Sequence, residues 1–229
     1  MSIEAKIAAA AVLLERIQDE FSPATFASSL GAEDMVLTDL IAKHAPGIGI
    51  FSLDTGRLNP ETYDLLAKVQ ETYGARVGIR VLYPQPDALQ QFVESNGINA
   101  FYRSVELRKT CCGIRKVEPL RRALAGHQAW ITGMRRQQSA TRADMPVQEH
   151  DADHGLEKFN PLADWTEKEV WQYIRDNGVP YNALHDQHYP SIGCAPCTRS
   201  ISVGEDIRAG RWWWENEGGK ECGLHVKKI

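Results

Sequence analysis

The chain has 229 residues, enough for one large domain or two small ones, and its 43% hydrophobic and 24% charged residues are an ordinary globular balance. A formal net charge of −4 argues against broad binding to nucleic acid or to an acidic membrane, so any basic site must be a local concentration. No apolar run is long enough to span a bilayer.

The first segment, "MSIEAKIAAAAVLLERIQDEF", reads as an amphipathic helix. Ile3, Ile7, Ala10, Leu14, Ile17 and Phe21 recur at steps of three and four, and Glu4, Glu15, Asp19 and Glu20 are wrong for a secretory leader. A cytoplasmic protein is therefore expected, in which thiols stay reduced.

Strands and helices then alternate. "ATFASS" (24–29) predicts a strand, followed by "SLGAED" and a helix to about Lys43. "GIGIFSLD" (47–54) predicts a second strand, and Asn59-Pro60 the start of a helix to Tyr73. "RVGIRVLY" (76–83) is a third strand, and 87–97 is helical with Asn96-Gly97 as its stop. "EPLRRALAG" (118–126) is a short helix and "HQAWITG" (127–133) a fourth strand. This order argues an α/β fold, a parallel sheet with helices on both faces. Ligands of such sheets sit beyond the carboxyl ends of the strands, where "SLGAED", "LDTGRL" and "ITGMRRQQSATR" lie. From about 134 the polar, aperiodic sequence predicts a long surface loop. "DWTEKEVWQYIRDNG" is a helix with a capping box, Thr166 and Glu169, ended by Gly178. The expected division is a nucleotide- and cluster-binding domain over 1–202 and a flexible C-terminal tail over 203–229.

Four of the five cysteines fall into two tight pairs, Cys111-Cys112 and Cys194-x-x-Cys197. Reduced thiols so grouped point to metal chemistry, and four thiolates fit either Zn²⁺ or an iron–sulfur cluster. Arg108, Lys109, Arg115 and Lys116 would offset the negative charge of either. Adjacent cysteines crowd one zinc tetrahedron, whereas a cluster spreads its ligands over several irons, which favours the cluster. Cys222, in "GGKECGLH", stands apart. It reads equally as a nucleophilic thiolate near Lys220 and His225 or as an incidental surface thiol.

Three stretches in this order, "CCGIRKVEPL", "GCAPCTRSISVGEDIRAGRWWWE" and "KECGLH", resemble the assimilatory adenylyl-sulfate reductases, and the resemblance covers nearly the whole chain. It implies an adenine-nucleotide α-hydrolase-like fold and conversion of adenylyl sulfate to sulfite and AMP. Cys111, Cys112, Cys194 and Cys197 would ligate a [4Fe-4S] cluster, and Cys222 would be the nucleophile. Thioredoxin or glutaredoxin would supply electrons, and a homo-oligomer is the expected assembly. Lys116 would lie between cluster and substrate, Arg142 on a loop over the substrate, and Arg208 and Arg211 on the phosphosulfate. Arg135, Arg136 and His225 are further candidate cations.

In the loops, Ser29 and Gly31 could turn backbone N–H groups toward an anion, with Asp34 at the helix start. Leu53, Asp54 and Thr55 could hold ribose or adenine, and Gly133 lies in the third nucleotide-site loop. For each arginine alone, a solvated surface side chain is the plainer reading. Of the Trp212–Trp214 run, at least one ring is expected to pin the tail by packing. His185 and His188 are given no role. The rival functions are reduction of the 3′-phosphorylated nucleotide, or of both, and a zinc-stabilised nucleotide-binding module without catalysis.

Overall fold

A computed structural model describes residues 1–139 and 142–215. Cys222 and His225 lie outside the described residues. The chain divides into two compact units. The first comprises Met1–Ser52, Pro60–Arg80 and Gly126–Ala183; the second comprises Leu53–Asn59, Val81–Ala125 and the chain from Leu184 onward.

The strands are β1 (Ala24–Ala27), β2 (Gly49–Leu53), β3 (Ile79–Leu82), β4 (Ala129–Ile131), β5 (Gln148–Asp151) and β6 (Leu156–Phe159). They form one sheet in the order β3-β2-β1-β4-β6-β5. β1 runs parallel to β2 and β4, β4 runs parallel to β6, and the edge pair β5–β6 is antiparallel. The chain winds outward from β1 to β3, then returns to place β4 on the other side of β1. The winding direction therefore reverses at a switch point between β1 and β4, the strand order that right-handed crossovers turn into helices on both faces.

The first unit's helices follow the sequence closely. α1 (Ile3–Glu20), α2 (Ala32–His44), α3 (Pro60–Tyr73) and α7 (Glu167–Asn177) lie where periodicity and caps put them. The capping box of Thr166 and Glu169 is formed in both directions, and Gly178 ends α7. α2 packs against both α1 and α7, and is buried along nearly its whole length. Phe26, Met35, Leu37, Leu40, Ile131 and Phe159 form the centre of this core. Each such side chain contributes roughly 1.5–3 kcal/mol by leaving water.

In the second unit, α4 (Pro86–Asn96) is followed by α5 (Val105–Cys112), a π-helical turn (Gly113–Val117) and α6 (Glu118–Leu124) without a break. The expected short helix is thus the end of a longer one. Ser104 caps α5 by accepting from the Leu107 N–H, a start signal hidden in a polar stretch. Gly113 does not kink the chain; its φ of −55° and ψ of −52° are helical. The widened turn instead precedes Pro119, which has no N–H to give the Arg115 carbonyl.

The region after 134 is another correction. It holds a 3-10 turn (Arg136–Gln138) and the β5–β6 hairpin rather than one long loop. β5 is the polar edge strand "QEHD", so it carries no apolar alternation to read. No described helix is long and apolar enough to cross a membrane.

One buried carboxylate ties α2, α3 and α7 together. Asp39 accepts from Tyr73 Oη at 3.1 Å and Tyr173 Oη at 2.6 Å, and pairs with Lys43 Nζ at 2.7 Å. Asp39→Ala strands two buried hydroxyls and should cost about 3 kcal/mol in urea denaturation. A loss below about 1 kcal/mol would mean the network does not hold the helices.

Candidate active site

Each unit contributes its own set of candidate residues. In the first, the set surrounds the β1–β4 switch point. The chain leaves β1 through Ser28, Ser29, Leu30 and Gly31 before α2 begins. Leu30 adopts the left-handed conformation, with φ of 61°, and its side chain is wholly buried. That conformation costs a leucine on the order of 1–2 kcal/mol and persists because the surrounding packing fixes it.

Asp34 joins the two loops of this crevice. Ser29 N–H and Ser29 Oγ both donate to its Oδ2 at 2.6 Å, and the Gly133 N–H donates to it from the loop after β4. A side chain at 133 would collide with the Asp34 carboxylate, which is why that loop carries glycine. Burial pushes the Asp34 carboxyl up to about 7, against the pull of the Ser29 and Gly133 hydrogen bonds and with help from Glu33.

The arginines of this unit are engaged. Arg135 is buried, donates from Nε to Glu33 Oε1 at 2.8 Å, and reaches the Trp165 carbonyl. Arg136 pairs with Asp164 and donates to the Met145 carbonyl. Arg142 donates from Nη1 to Gln138 Oε1 at 2.6 Å.

The second unit gathers the four described cysteines. Cys111 and Cys112 are the last residues of α5. Cys194 and Cys197 flank a 3-10 turn closed by the Cys197 N–H on the Cys194 carbonyl at 2.9 Å. The strand-end loop 53–59 meets this turn: the Ala195 N–H donates to the Arg57 carbonyl at 2.8 Å, and Thr55 Oγ1 lies 3.3 Å from Cys194 Sγ. Thr55, a sequence candidate for the nucleotide, thus bonds to a cysteine. Asp54 accepts from the Gly56 N–H at 2.7 Å, an Asx turn that shapes the same loop, and Leu53 ends β2.

Cations crowd the sulfurs. Arg115 is buried and donates to the Thr55 carbonyl; among the described residues no carboxylate pairs with it and its Nε has no partner. Arg211 is buried, donates from Nη1 to Ser191 Oγ at 3.1 Å, and occupies the space a side chain at Gly193 would need. Arg208 caps a turn through its N–H on Asp206 Oδ1 at 2.8 Å.

Burial pushes the Cys194 thiol up, but the charge of Lys116, the Thr55 hydrogen bond, Arg211 and Arg115 outweigh it and hold the thiol below its ordinary range. Burial and the neighbouring Cys194 and Cys112 drive Cys197 up to about 12, and burial likewise raises Cys111 despite Arg115. The four sulfurs therefore feel one another, and they cannot all ionise without added positive charge.

That charge deficit fits a thiolate-bound metal group, which binds its ligands deprotonated. Among the described residues no group of three or more His, Cys, Asp or Glu side chains is placed to hold a metal ion. Four thiolates suit either one zinc ion or an iron–sulfur cluster, in which each thiolate meets a different iron.

Sequence reasoning missed Arg57 as a charge acting on Cys111, Thr55 as a cysteine partner and Asp34 as the link between loops. The burial of Asp34 had no sequence signal, since acidic residues at helix starts are commonplace.

The raised Asp34 gives a pH signature. The fold prefers its protonated form, so that contribution is present below the ordinary carboxylate pKa and lost as pH rises through about 7. Relative to Asp34→Asn, the parent should lose on the order of 3 kcal/mol of stability between pH 4 and pH 8 in denaturant titrations. A difference that does not change with pH would contradict this assignment.

Residues 23–200 match the family model described as the phosphoadenosine phosphosulfate reductase domain. An adenosine 5′-phosphosulfate reductase of Allochromatium vinosum is 57% identical over 97% of this chain and 86% of its own length. A reductase of the same name from Burkholderia cepacia is 54% identical over 99% of this chain and 90% of its own length. Among solved structures, the phosphoadenylyl-sulfate reductase of Candida auris, 28% identical, superposes with a TM-score of 0.72 over 87% of this chain and 96% of its own. The chain belongs to the phosphoadenosine phosphosulfate reductase domain family, and within it to the group of adenosine 5′-phosphosulfate reductases.

Proposed function

We propose that this chain reduces adenosine 5′-phosphosulfate to sulfite and AMP through a covalent intermediate on Cys222, in assimilatory sulfate reduction. Its membership of the family makes it an oxidoreductase. The observation that carries the covalent route is the engagement of the other four cysteines in one charged network, which leaves Cys222 as the remaining thiol.

Cys222 thiolate attacks the sulfur of the phosphosulfate. A sulfur–sulfur bond forms, the sulfur–oxygen bond to phosphate breaks, and AMP leaves with the electron pair. A thiolate of an external dithiol protein then attacks Cys222 Sγ and expels sulfite, and its second thiol closes a disulfide and frees Cys222. The two electrons come from the dithiol, with thioredoxin or glutaredoxin as the proposed donor.

An anionic nucleophile meeting an anionic substrate needs nearby cations. Lys116, Arg208, Arg211 and Arg142 are the cations assigned that role in this reading. The charge of Lys116 acting on Cys194 supports its place beside the sulfurs. In this reading Ser29, Gly31 and Gly133, in the loops after β1 and β4, lie nearest the nucleotide, since ligands of such sheets bind beyond the strand ends. Cys111, Cys112, Cys194 and Cys197 would hold a [4Fe-4S] cluster, whose iron would supply the positive charge that keeps four thiolates ionised. The same reading implies a cytoplasmic enzyme, which keeps these thiols reduced.

Mass spectrometry after mixing with adenosine 5′-phosphosulfate and no reductant should show an adduct of about 80 Da, the mass of SO₃, on Cys222. Cys222→Ser should form none and release no sulfite. Normal sulfite release by that variant would end the covalent reading. Equal rates on the 3′-phosphorylated nucleotide would favour the broader substrate range.

A further inference from the structure

Arg108 plays no part in the chemistry above, yet it is wholly buried. A guanidinium taken out of water is destabilising unless acceptors meet it, and an apolar side chain of similar size would fill the space without that cost. Three contacts within the second unit meet it. Nε donates to Glu215 Oε1 at 2.8 Å and Nη2 to Glu215 Oε2 at 2.7 Å, and both side chains are buried. Its face lies 4.7 Å from the Trp212 ring. It also hydrogen-bonds Cys112.

Arg108 and Cys112 are four residues apart on α5, which sets them on one face a turn apart. Cys111 lies about 100° around the helix. It takes a hydrogen bond from Arg115, four residues on in the π-helical turn. The adjacent cysteines therefore face different arginines, one before the pair and one after it. These arginines differ in their other partners. Arg115 donates to the Thr55 carbonyl, a neutral acceptor, and so brings Cys111 a full positive charge. Arg108 is matched by Glu215, 107 residues on, and so brings Cys112 a directed donor with little net charge.

Glu215 fixes where that donor points. Two parallel bonds to a carboxylate hold a planar guanidinium in one orientation, and the indole stacked on its face limits what rotation is left. Glu215 is held in turn, since its N–H donates to the Trp212 carbonyl at 2.9 Å and the Trp212 N–H donates to the Cys197 carbonyl at 3.2 Å.

We propose that Arg108 and Glu215 are positioning residues for the Cys112 sulfur: the carboxylate aims the guanidinium, and the N–H bond to sulfur sets how strongly Cys112 donates to a bound metal. A hydrogen bond draws electron density from a thiolate and weakens its bond to iron, and bonds of this kind tune a cluster and hold its ligands in place. This inference rests on the iron–sulfur reading of the four cysteines.

The test uses full-length, cluster-loaded protein prepared without oxygen. Resonance Raman spectroscopy reads the iron–thiolate stretching bands, and a chelator reads the rate of iron loss. The double variant Arg108→Met with Glu215→Gln removes the donor, leaves the net charge unchanged and strands no buried charge. It should move an iron–thiolate band to higher frequency and lose iron about tenfold faster than the parent. Glu215→Gln alone leaves an unmatched guanidinium beside Cys112, a stronger donor, and should move that band to lower frequency. Bands that stay in place in both variants, or that move the same way, overturn the proposal. So does faster iron loss with unshifted bands, which would make the pair a general support of the fold. Should the double variant assemble no cluster, the direction of the Glu215→Gln shift decides alone. A parent that carries zinc in place of iron would instead refute the cluster reading on which the proposal stands.

Discussion

The second unit is organised around a charge problem. Arg115 is a buried guanidinium without a carboxylate partner among the described residues, and Lys116, Arg108 and Arg211 add three more cations around the same sulfurs. A buried cation needs an anion, because desolvation otherwise works against it by several kcal/mol. Arg108 finds one in Glu215, while the charges of Arg115, Lys116 and Arg211 act on thiols, of which burial first and the neighbouring sulfurs second push Cys197 and Cys111 up. Neither set is at ease alone. The arrangement is balanced when the thiolates are ionised and bound to metal, which joins the local structure of this unit to its proposed cofactor.

The first unit solves a different problem, that of tying two strand-end loops to one buried carboxyl. A single carboxyl, Asp34, gathers donors from both loops of the switch point, and the absence of a side chain at Gly133 lets those loops close on it. α2 carries Asp34, and Asp39 one turn further on binds that helix to α3 and α7. The crevice is therefore set by the core of the unit rather than by its loops alone. Leu30, strained but buried, belongs to the same arrangement.

Much of this was legible in the sequence, for physical reasons that differ by element. The helices α1, α3 and α7 were marked by strong periodicity and by local caps, Asn59-Pro60 and Thr166 with Glu169, which act within one turn. The parallel sheet followed from alternation alone. The β5–β6 hairpin did not, because a polar edge strand presents no pattern to find. α5 was hidden because its short run "VELRKTCC" is largely polar, although Ser104 and Glu106 were there as start signals. In the site, the paired cysteines declared themselves by spacing. The roles of Thr55, Arg57 and Arg108 arise from contacts between segments tens of residues apart, and no local pattern records them.

Chemical analysis of the protein purified without oxygen tests the central claim most directly. The account predicts a brown protein absorbing near about 400 nm, with about four irons and four labile sulfides per chain. A colourless protein carrying about one zinc per chain would contradict it, because the four thiolates would then serve a single tetrahedral metal ion and no iron–sulfur cluster.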